Sequence, residues 1–464
     1  MAATDCLIFV LGSHNWQQES YFSTGSAMVH ELQHKALNDM PGVHCYSLWP
    51  SNVLKTPEDR DDYRVIETDH EVPICEGVHP QSSLRFHSLS TDQFSKYMEL
   101  LVTKCLDFIN YIEQKHGKTL DFLMAHHVFN NPAVLAAVNQ QRVWDGMKKI
   151  PVFAFSHGTG MMMYLNELDN HPEFPLRFYP WVRKAVCLFE DETEIQGVFT
   201  LTELQRSRFC NLFPNFPQTR VKLATLGYQQ TIFRKLAVPE NRNEWSLKWK
   251  QVLYEEIDES VLPLNIGNNK PLPDLHSFEH IVVFCSKLDK VKRLELLLTA
   301  SKNWEADKKS ILTLIAGSAS KENIKTYVDM AYYDLRLKNT YFIGALMQSE
   351  LTKLFNLADI VVLPSKMEAF PMVLVEALAC GTPVVGIDTW ACSSFTAENV
   401  GILIKENEDQ NQMARDINDN VTKALSENWK KTKSEHCANL ALKNFSNPRR
   451  VKQLLDCVKE VIGD

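Results

Sequence analysis

A chain of 464 residues with 45% apolar content is too long for one compact core, since single cores stop growing near about 250–300 residues; two domains are expected. The net charge of −8 argues against a general nucleic-acid or anionic-membrane binder. Eleven scattered cysteines, an odd number with no Cys-x-x-Cys pair, favour reduced thiols in a cytoplasmic protein over a disulfide frame or zinc site.

No window reaches about eighteen apolar residues and no basic leader precedes Cys6, so no transmembrane segment is expected. Only 17 glycines occur, about half the usual share of roughly 7%, so glycine-rich phosphate loops must be few or altered.

In chain order, Cys6–Leu11 reads as a buried strand and Gly25–Leu37 as an amphipathic helix. Residues 51–90 are polar and proline-dotted and read as a loop or insertion. A long helix over Asp92–Gln114 leads to a strand over Leu120–Ala125 that ends in His126 and His127. Pro132–Met147 is expected as a helix, and the strand Val152–Phe155 runs into Ser156-His157-Gly158-Thr159-Gly160. Two strands thus end in histidines at what should be the carboxyl edge of one sheet, where convergence on a cleft is the natural inference. Val186–Glu190 and Gly197–Thr202 read as further strands, Glu203–Phe209 as a helix, and Val221–Gly227 as the way out of this domain, drawn at 1–235. Arg177, Arg183, Lys184 and Arg206 either cover surface or serve an anionic acceptor. The stretch 236–275 is drawn as a linker or insertion, with charged helical text over Glu240–Val261 followed by Asn265-Ile-Gly-Asn-Asn-Lys-Pro-Leu-Pro-Asp274.

The second domain is drawn at 276–440. His280–Cys285 is a clean strand, followed by a turn carrying Lys287 and Lys292 and a helix over Arg293–Asn303. Strands over Ser310–Ala316 and Tyr341–Gly344 and helices over Glu322–Leu337 and Gln348–Leu357 come next. Ile360–Leu363 is an unbroken apolar run ending at Pro364, the pattern of a parallel strand buried on both faces. A loop with Ser365, Lys366 and Glu368 follows. Pro371 fits the first position of a helix that Gly381 and Pro383 stop. This is a βαβ unit whose loop and helix N-terminus sit where open α/β sheets bind ligands, and a helix N-terminus suits a phosphate. Glu368 before it and Glu376 within it can then accept hydrogen bonds from hydroxyls on either side of that anion. Gly401–Ile404 reads as a last strand and 441–464 as a terminal helix. The carboxylate spacings at Asp59-Arg-Asp61 and Asp416-Ile-Asn-Asp419 lie in charged stretches with no buried strand before them and read as solvated surface, so no metal site is assigned.

Glu368-x7-Glu376, embedded in Leu-Pro-Ser-x-x-Glu-Ala-Phe-Pro-x-Val-Leu-Val-Glu-Ala-x-Ala-Cys-Gly-Thr-Pro-Val-Val, resembles the signature of the retaining, nucleotide-sugar-dependent glycosyltransferases of family 4. The resemblance implies an α/β chain of GT-B fold, two Rossmann-like doubly wound domains facing a cleft, with the terminal helix crossing back to the first. It implies transfer of a hexose, most simply glucose from UDP-glucose, to an unknown acceptor with retention and without a metal. No cofactor is implied beyond the nucleoside-diphosphate sugar as co-substrate.

By the same resemblance Lys287 and Lys292 face the diphosphate, with Ser286-Lys287 where the family usually has Gly-Arg. Glu368 holds sugar hydroxyls, Glu376 holds ribose, and Phe370, Met372 and Val373 flank the donor. Gly344, Ala345 and Leu346 meet the base through backbone. His157 faces the donor sugar, and His126 and His127 shape the pocket or touch the acceptor. Thr24-Gly25-Ser26 stands for a family Gly-Gly turn, so that Gly25 either approaches the donor phosphate or merely follows a helix cap at Ser23 or Thr24. Thr389-Trp-Ala-Cys-Ser-Ser394 stands where the family has a second Gly-Gly and a carboxylate. That departure keeps open a catalytically silent GT-B protein that binds a sugar nucleotide or a partner. An epimerase on the same fold ranks last, and the oligomeric state is not legible.

Overall fold

The computed structural model describes residues 5–13, 25–51, 61–68, 71–73, 84–158, 194–307, 310–388 and 399–463. Thr24, Asp59, Thr159, Gly160, Arg177, Arg183, Lys184, the expected strand Val186–Glu190 and the segment Thr389–Ser394 lie outside them. The chain divides into two compact units, Met1–Gly227 with Asn447–Asp464, and Tyr228–Ser446. Among the described residues no helix is long and apolar enough to cross a membrane.

The first unit is built on a parallel sheet of order β3-β2-β1-β4-β5-β6-β7. Its strands are β1 (Cys6–Leu11), β2 (Val43–Ser51), β3 (Tyr63–Glu67), β4 (Phe122–His126), β5 (Val152–Phe155), β6 (Gly197–Thr200) and β7 (Val221–Leu223). Every residue of β4, β5 and β6 is buried, as expected of parallel strands covered on both faces. The crossovers use α1 (Gly25–Asn38), α2 (Thr91–His116), α3 (Asn131–Trp144) and α4 (Glu203–Leu212). Three strands arise where none was expected, the short β7 in the stretch read as the way out of the domain among them. β2 pairs along its whole length with β1, and β3 sits inside the stretch 51–90 as a half-buried edge strand.

The 26-residue α2 is delimited by its own sequence. Ser90 and Gln93 form a reciprocal capping box, and Gly117 closes the helix in the left-handed region at φ +64°. Phe94, Tyr97, Met98, Leu101, Cys105, Phe108, Ile109 and Ile112 recur at helical spacing and face the core. α3 is tied to α2 by Arg142, 1% exposed, whose Nη1 and Nη2 each donate to a Glu113 carboxylate oxygen at 3.0 Å. The last helix, α11 (Asn447–Ile462), buries Val451, Leu454, Leu455 and Val458 and lies against α1.

The second unit repeats the plan with order β10-β9-β8-β11-β12-β13. Its strands are β8 (His280–Cys285), β9 (Ile311–Ala316), β10 (Thr340–Gly344), β11 (Ile360–Leu363), β12 (Val384–Ile387) and β13 (Gly401–Ile404), all parallel. Its helices are α5 (Leu294–Ala306), α6 (Lys321–Asp329), α7 (Gln348–Leu357), α8 (Met372–Ala379), α9 (Gln410–Ser426) and α10 (Trp429–Phe445). The helix expected over 322–337 is α6 continued by a π turn at Met330–Asp334.

Residues 236–275, expected as a linker with helical text over Glu240–Val261, fall within the second unit and form a single helical turn at Asn243–Ser246 followed by irregular chain. Side chains and β10 satisfy its backbone where i−4 carbonyls would in a helix. The Val252 N–H donates to Phe342 O at 2.9 Å. The buried Gln251 donates to Asn265 O and Pro271 O and accepts from the Gly267 N–H.

Breaking the Arg142–Glu113 pair leaves a carboxylate at a largely buried position with no cation. Arg142→Ala is therefore expected to lower the unfolding free energy of the first unit by about 3 kcal/mol. The urea midpoint of that unit's transition measures it, and a shift worth less than about 1 kcal/mol would class the pair with exposed ones.

Candidate functional site

In the second sheet β8 and β11 are neighbours while β9–β10 and β12–β13 run outward in opposite directions, so strand order reverses between β8 and β11. Loops leaving adjacent strands to opposite sides open a crevice at their carboxyl ends. The loop after β8 carries Lys287 and Lys292, and the loop after β11 carries Glu368. The structure brings the last two together, with Lys292 Nζ donating to Glu368 Oε1 at 2.7 Å. Both side chains are mostly buried, at 21% and 13% exposure. Lys287 is exposed on the same loop and joins no such pair among the described contacts.

The two loops are bound to each other. The Lys366 N–H donates to Val291 O at 2.9 Å, and Arg293 Nε donates to Pro364 O at 2.9 Å. Arg293 Nη1 and Nη2 then grip Glu406, beyond β13, at 2.7 and 2.8 Å. That guanidinium holds the Glu406 carboxyl below the usual carboxylate range. Arg293 was read from sequence only as the start of a helix. Its 4% exposure and its φ of +50° mark it as a fixed part of the crevice wall.

Pro371 is the cap of α8 rather than its first helical residue. Its ψ of 76° is not helical, and the following Met372 N–H turns back to Phe370 O at 2.9 Å. No side chain caps α8, and its Met372, Leu374 and Val375 N–H groups turn to Phe370 O and Pro371 O, so what its start offers the crevice is chiefly the positive end of its dipole. Phe370 is buried beside this cap, while Met372 and Val373 are half-buried in the first turn. Glu376 lies in the second turn, 8% exposed, and burial alone pushes its carboxyl up to about 8. The two glutamates of one motif thus stand in opposite surroundings, Glu368 against an ammonium and Glu376 among apolar groups.

The loops after β9 and β10 complete this edge. The Gly317 N–H donates to Gly344 O at 2.7 Å, and a Cβ on Gly317 would stand 1.7 Å from Ser286 O, so only glycine fits there. Gly344 is left-handed at φ +68°, and Ala345 and Leu346 are half-buried behind it.

At the carboxyl edge of the first sheet His126, His127 and His157 come together. His126 Nδ1 lies 2.8 Å from His157 Nε2, and the rings of His127 and His157 are 4.6 Å apart. His127 sits at φ +68°, its N–H donating to Phe155 O. Two residues of α1 join them without having been singled out from sequence. His30 stacks on His126 at 4.5 Å, and Gln33 Oε1 lies 2.8 Å from His126 Nε2. Burial, reinforced by neighbouring histidines, pushes His30 and His126 well below the ordinary imidazole range. The i, i+3 placement of two polar groups on the inner face of α1 was the available signal, and helical periodicity alone masks it. Gly25 opens α1.

Residues 273–436 match the family described as glycosyl transferases group 1. The D-inositol 3-phosphate glycosyltransferase of Segniliparus rotundus is 32% identical over 130 residues, which cover 27% of this chain and 29% of that protein. The chain thus spans under a third of the length of this curated relative. The sucrose-phosphate synthase of Thermosynechococcus elongatus superposes with a TM-score of 0.65 at 16% identity, covering 98% of this chain and 99% of that one. Anabaena Alr3699/HepE, solved in complex with UDP-glucose, does so with a TM-score of 0.61 at 13% identity, covering 98% and 99%. The six-stranded crevice unit carries the segment that matches the glycosyl transferases of group 1, and with a second parallel-sheet unit before it in sequence the chain has the GT-B fold.

Proposed function

We propose that this protein is a retaining glycosyltransferase that moves a hexose, most simply glucose, from a nucleoside-diphosphate sugar to an acceptor without a metal ion. The observation that carries this reading is the uncapped N-terminus of α8 at the strand-order reversal, with the Lys292–Glu368 pair on one side and the buried, unionised carboxyl of Glu376 on the other. A diphosphate suits the dipole of α8 together with Lys287 and Lys292, which meet charge as it develops on the leaving group. Glu376 then accepts from ribose hydroxyls and Glu368 from sugar hydroxyls, while Gly344, Ala345 and Leu346 offer backbone to the base. For His157 the proposed role is to align the sugar at the reacting carbon. In this scheme the acceptor attacks on the leaving-group face and its proton passes to a donor phosphate oxygen, so no protein nucleophile is named.

UDP-glucose is the donor proposed because HepE is held in complex with it. The name of the Segniliparus relative recommends inositol phosphates among the acceptors to be screened. A cytoplasmic location remains the reading of the reduced cysteines.

UDP or UDP-glucose at 100 times its dissociation constant is expected to add about 2.7 kcal/mol to stability, read as a rise in melting temperature. Sugar nucleotides that bind but are not turned over, with Glu368→Ala and wild type releasing nucleoside diphosphate at the same background rate, would establish the silent binding protein instead.

Lys292→Met removes a cation from the leaving group. It is expected to lower kcat by about 10² to 10³ while the donor KM changes far less. Equal activity of this variant and wild type would remove Lys292 from the reaction.

The raised pKa of Glu376 gives a pH signature. In the free protein its carboxyl stays protonated until pH rises through about 8. Hydroxyls donating to the carboxylate favour the charged form, so donor binding near pH 7 is expected to release a proton and to tighten from about pH 6 to pH 8. Calorimetry in buffers of different ionisation enthalpy reads the release, and Glu376→Gln should abolish both effects. Identical proton release in that variant would place the titration elsewhere.

A further inference from the structure

The hydrogen bonds of the histidine cluster have a definite direction. Gln33 Oε1, an amide oxygen, only accepts, so the His126 Nε2 that it meets at 2.8 Å carries a hydrogen. His126 is 1% exposed, packed between the His30 ring at 4.5 Å and the Phe155 ring at 5.4 Å. The titratable groups that face it are other imidazoles, His30, His127 and His157. A cation there would lose its hydration among groups that resist sharing its charge, so His126 is neutral. A neutral imidazole with hydrogen on Nε2 has a lone pair on Nδ1. Among the described residues the group that meets that lone pair, at 2.8 Å, is His157 Nε2, which must therefore donate.

We propose that Gln33 and His126 are positioning residues that hold His157 in its Nε2–H tautomer, so that Nδ1 is the acceptor atom of the His157 ring. The tautomer follows from contacts within the first unit alone. Its meaning for a sugar rests on the proposed function: His157 then receives a hydrogen bond from a hydroxyl and does not protonate an oxygen. The relay reaches back along α1 from Gln33, one turn from His30. His30 Nε2 and His34 Nδ1 both meet the Ser47 hydroxyl, at 3.1 and 2.9 Å, and His34 Nε2 lies 3.1 Å from Asp62. Within these contacts the carboxylate of Asp62 pairs with His34, on the far side of Ser47 from His126.

Long-range proton–nitrogen NMR of protein labelled with ¹⁵N histidine tests this, His157 being assigned by difference from His157→Gln. The wild type is expected to show His157 with its hydrogen on Nε2 and none on Nδ1 from about pH 6 to pH 8. Gln33→Met keeps the side-chain length and removes the acceptor, and should turn that single tautomer into a mixture. In the same variant kcat is expected to fall by about tenfold while the donor KM moves less than about twofold. Gln33→Glu, which supplies a charge able to protonate His126, should invert His157 to the Nδ1–H form. A wild-type His157 with hydrogen on Nδ1, or a tautomer unchanged in Gln33→Met, overturns the proposal, and the wild-type spectrum decides even if a variant fails to fold. A protein with the expected tautomer but no turnover of any sugar nucleotide would remove the transferase reading and leave the relay standing.

Discussion

The crevice of the second unit depends on one buried arginine. Arg293 leaves β8's loop in a left-handed conformation that costs a residue with a Cβ about 1–2 kcal/mol. Against this stand three charge-assisted hydrogen bonds, each worth about 1.5–3 kcal/mol where the partner is charged or buried, so the conformation persists. Because one guanidinium holds Pro364 O and Glu406 at once, the loops after β8, β11 and β13 cannot move independently. Lys292 is its immediate neighbour and Glu368 stands four residues beyond Pro364, which is why these two meet at hydrogen-bond distance.

The two glutamates show how environment divides labour between like residues. Glu368 has a cation at 2.7 Å, whereas Glu376, eight positions on, is buried with none beside it among the described residues, and desolvation keeps its proton on. In the ligand-free site one paired and one neutral carboxyl thus flank a helix N-terminus, so that two like charges do not face each other across it.

Much of this was legible in the amino-acid order. β1, β5, β8, β11, β13 and α7 fall on the residues expected, because each is a short apolar run, or an amphipathic one, bounded by breakers. The meeting of Lys292 with Glu368, and of His126 with His157, also followed from placing loops at the carboxyl edges of two sheets. What was not legible shares a cause. β3 is an edge strand whose half-buried side chains alternate too weakly to stand out from polar chain. Residues 240–261 carry helix-forming letters, yet the amides of Gln251, Val252 and Leu253 are claimed by Lys270 O, the edge of β10 and Asn268 Oδ1. Arg293 and Gln33 act through partners distant in sequence, and a single chain offers no local pattern for such pairing.

The division of the chain has a consequence for biogenesis. The first unit includes α11, whose Val451, Leu454, Leu455 and Val458 cover apolar surface next to α1. A ribosome makes those residues only after the whole of Tyr228–Ser446 has been synthesised. The unit started first must therefore wait, with part of its α1 face wet, while the unit started second is free to complete its six-stranded sheet; nascent chains stalled before residue 447 are the species that chaperones should hold longest.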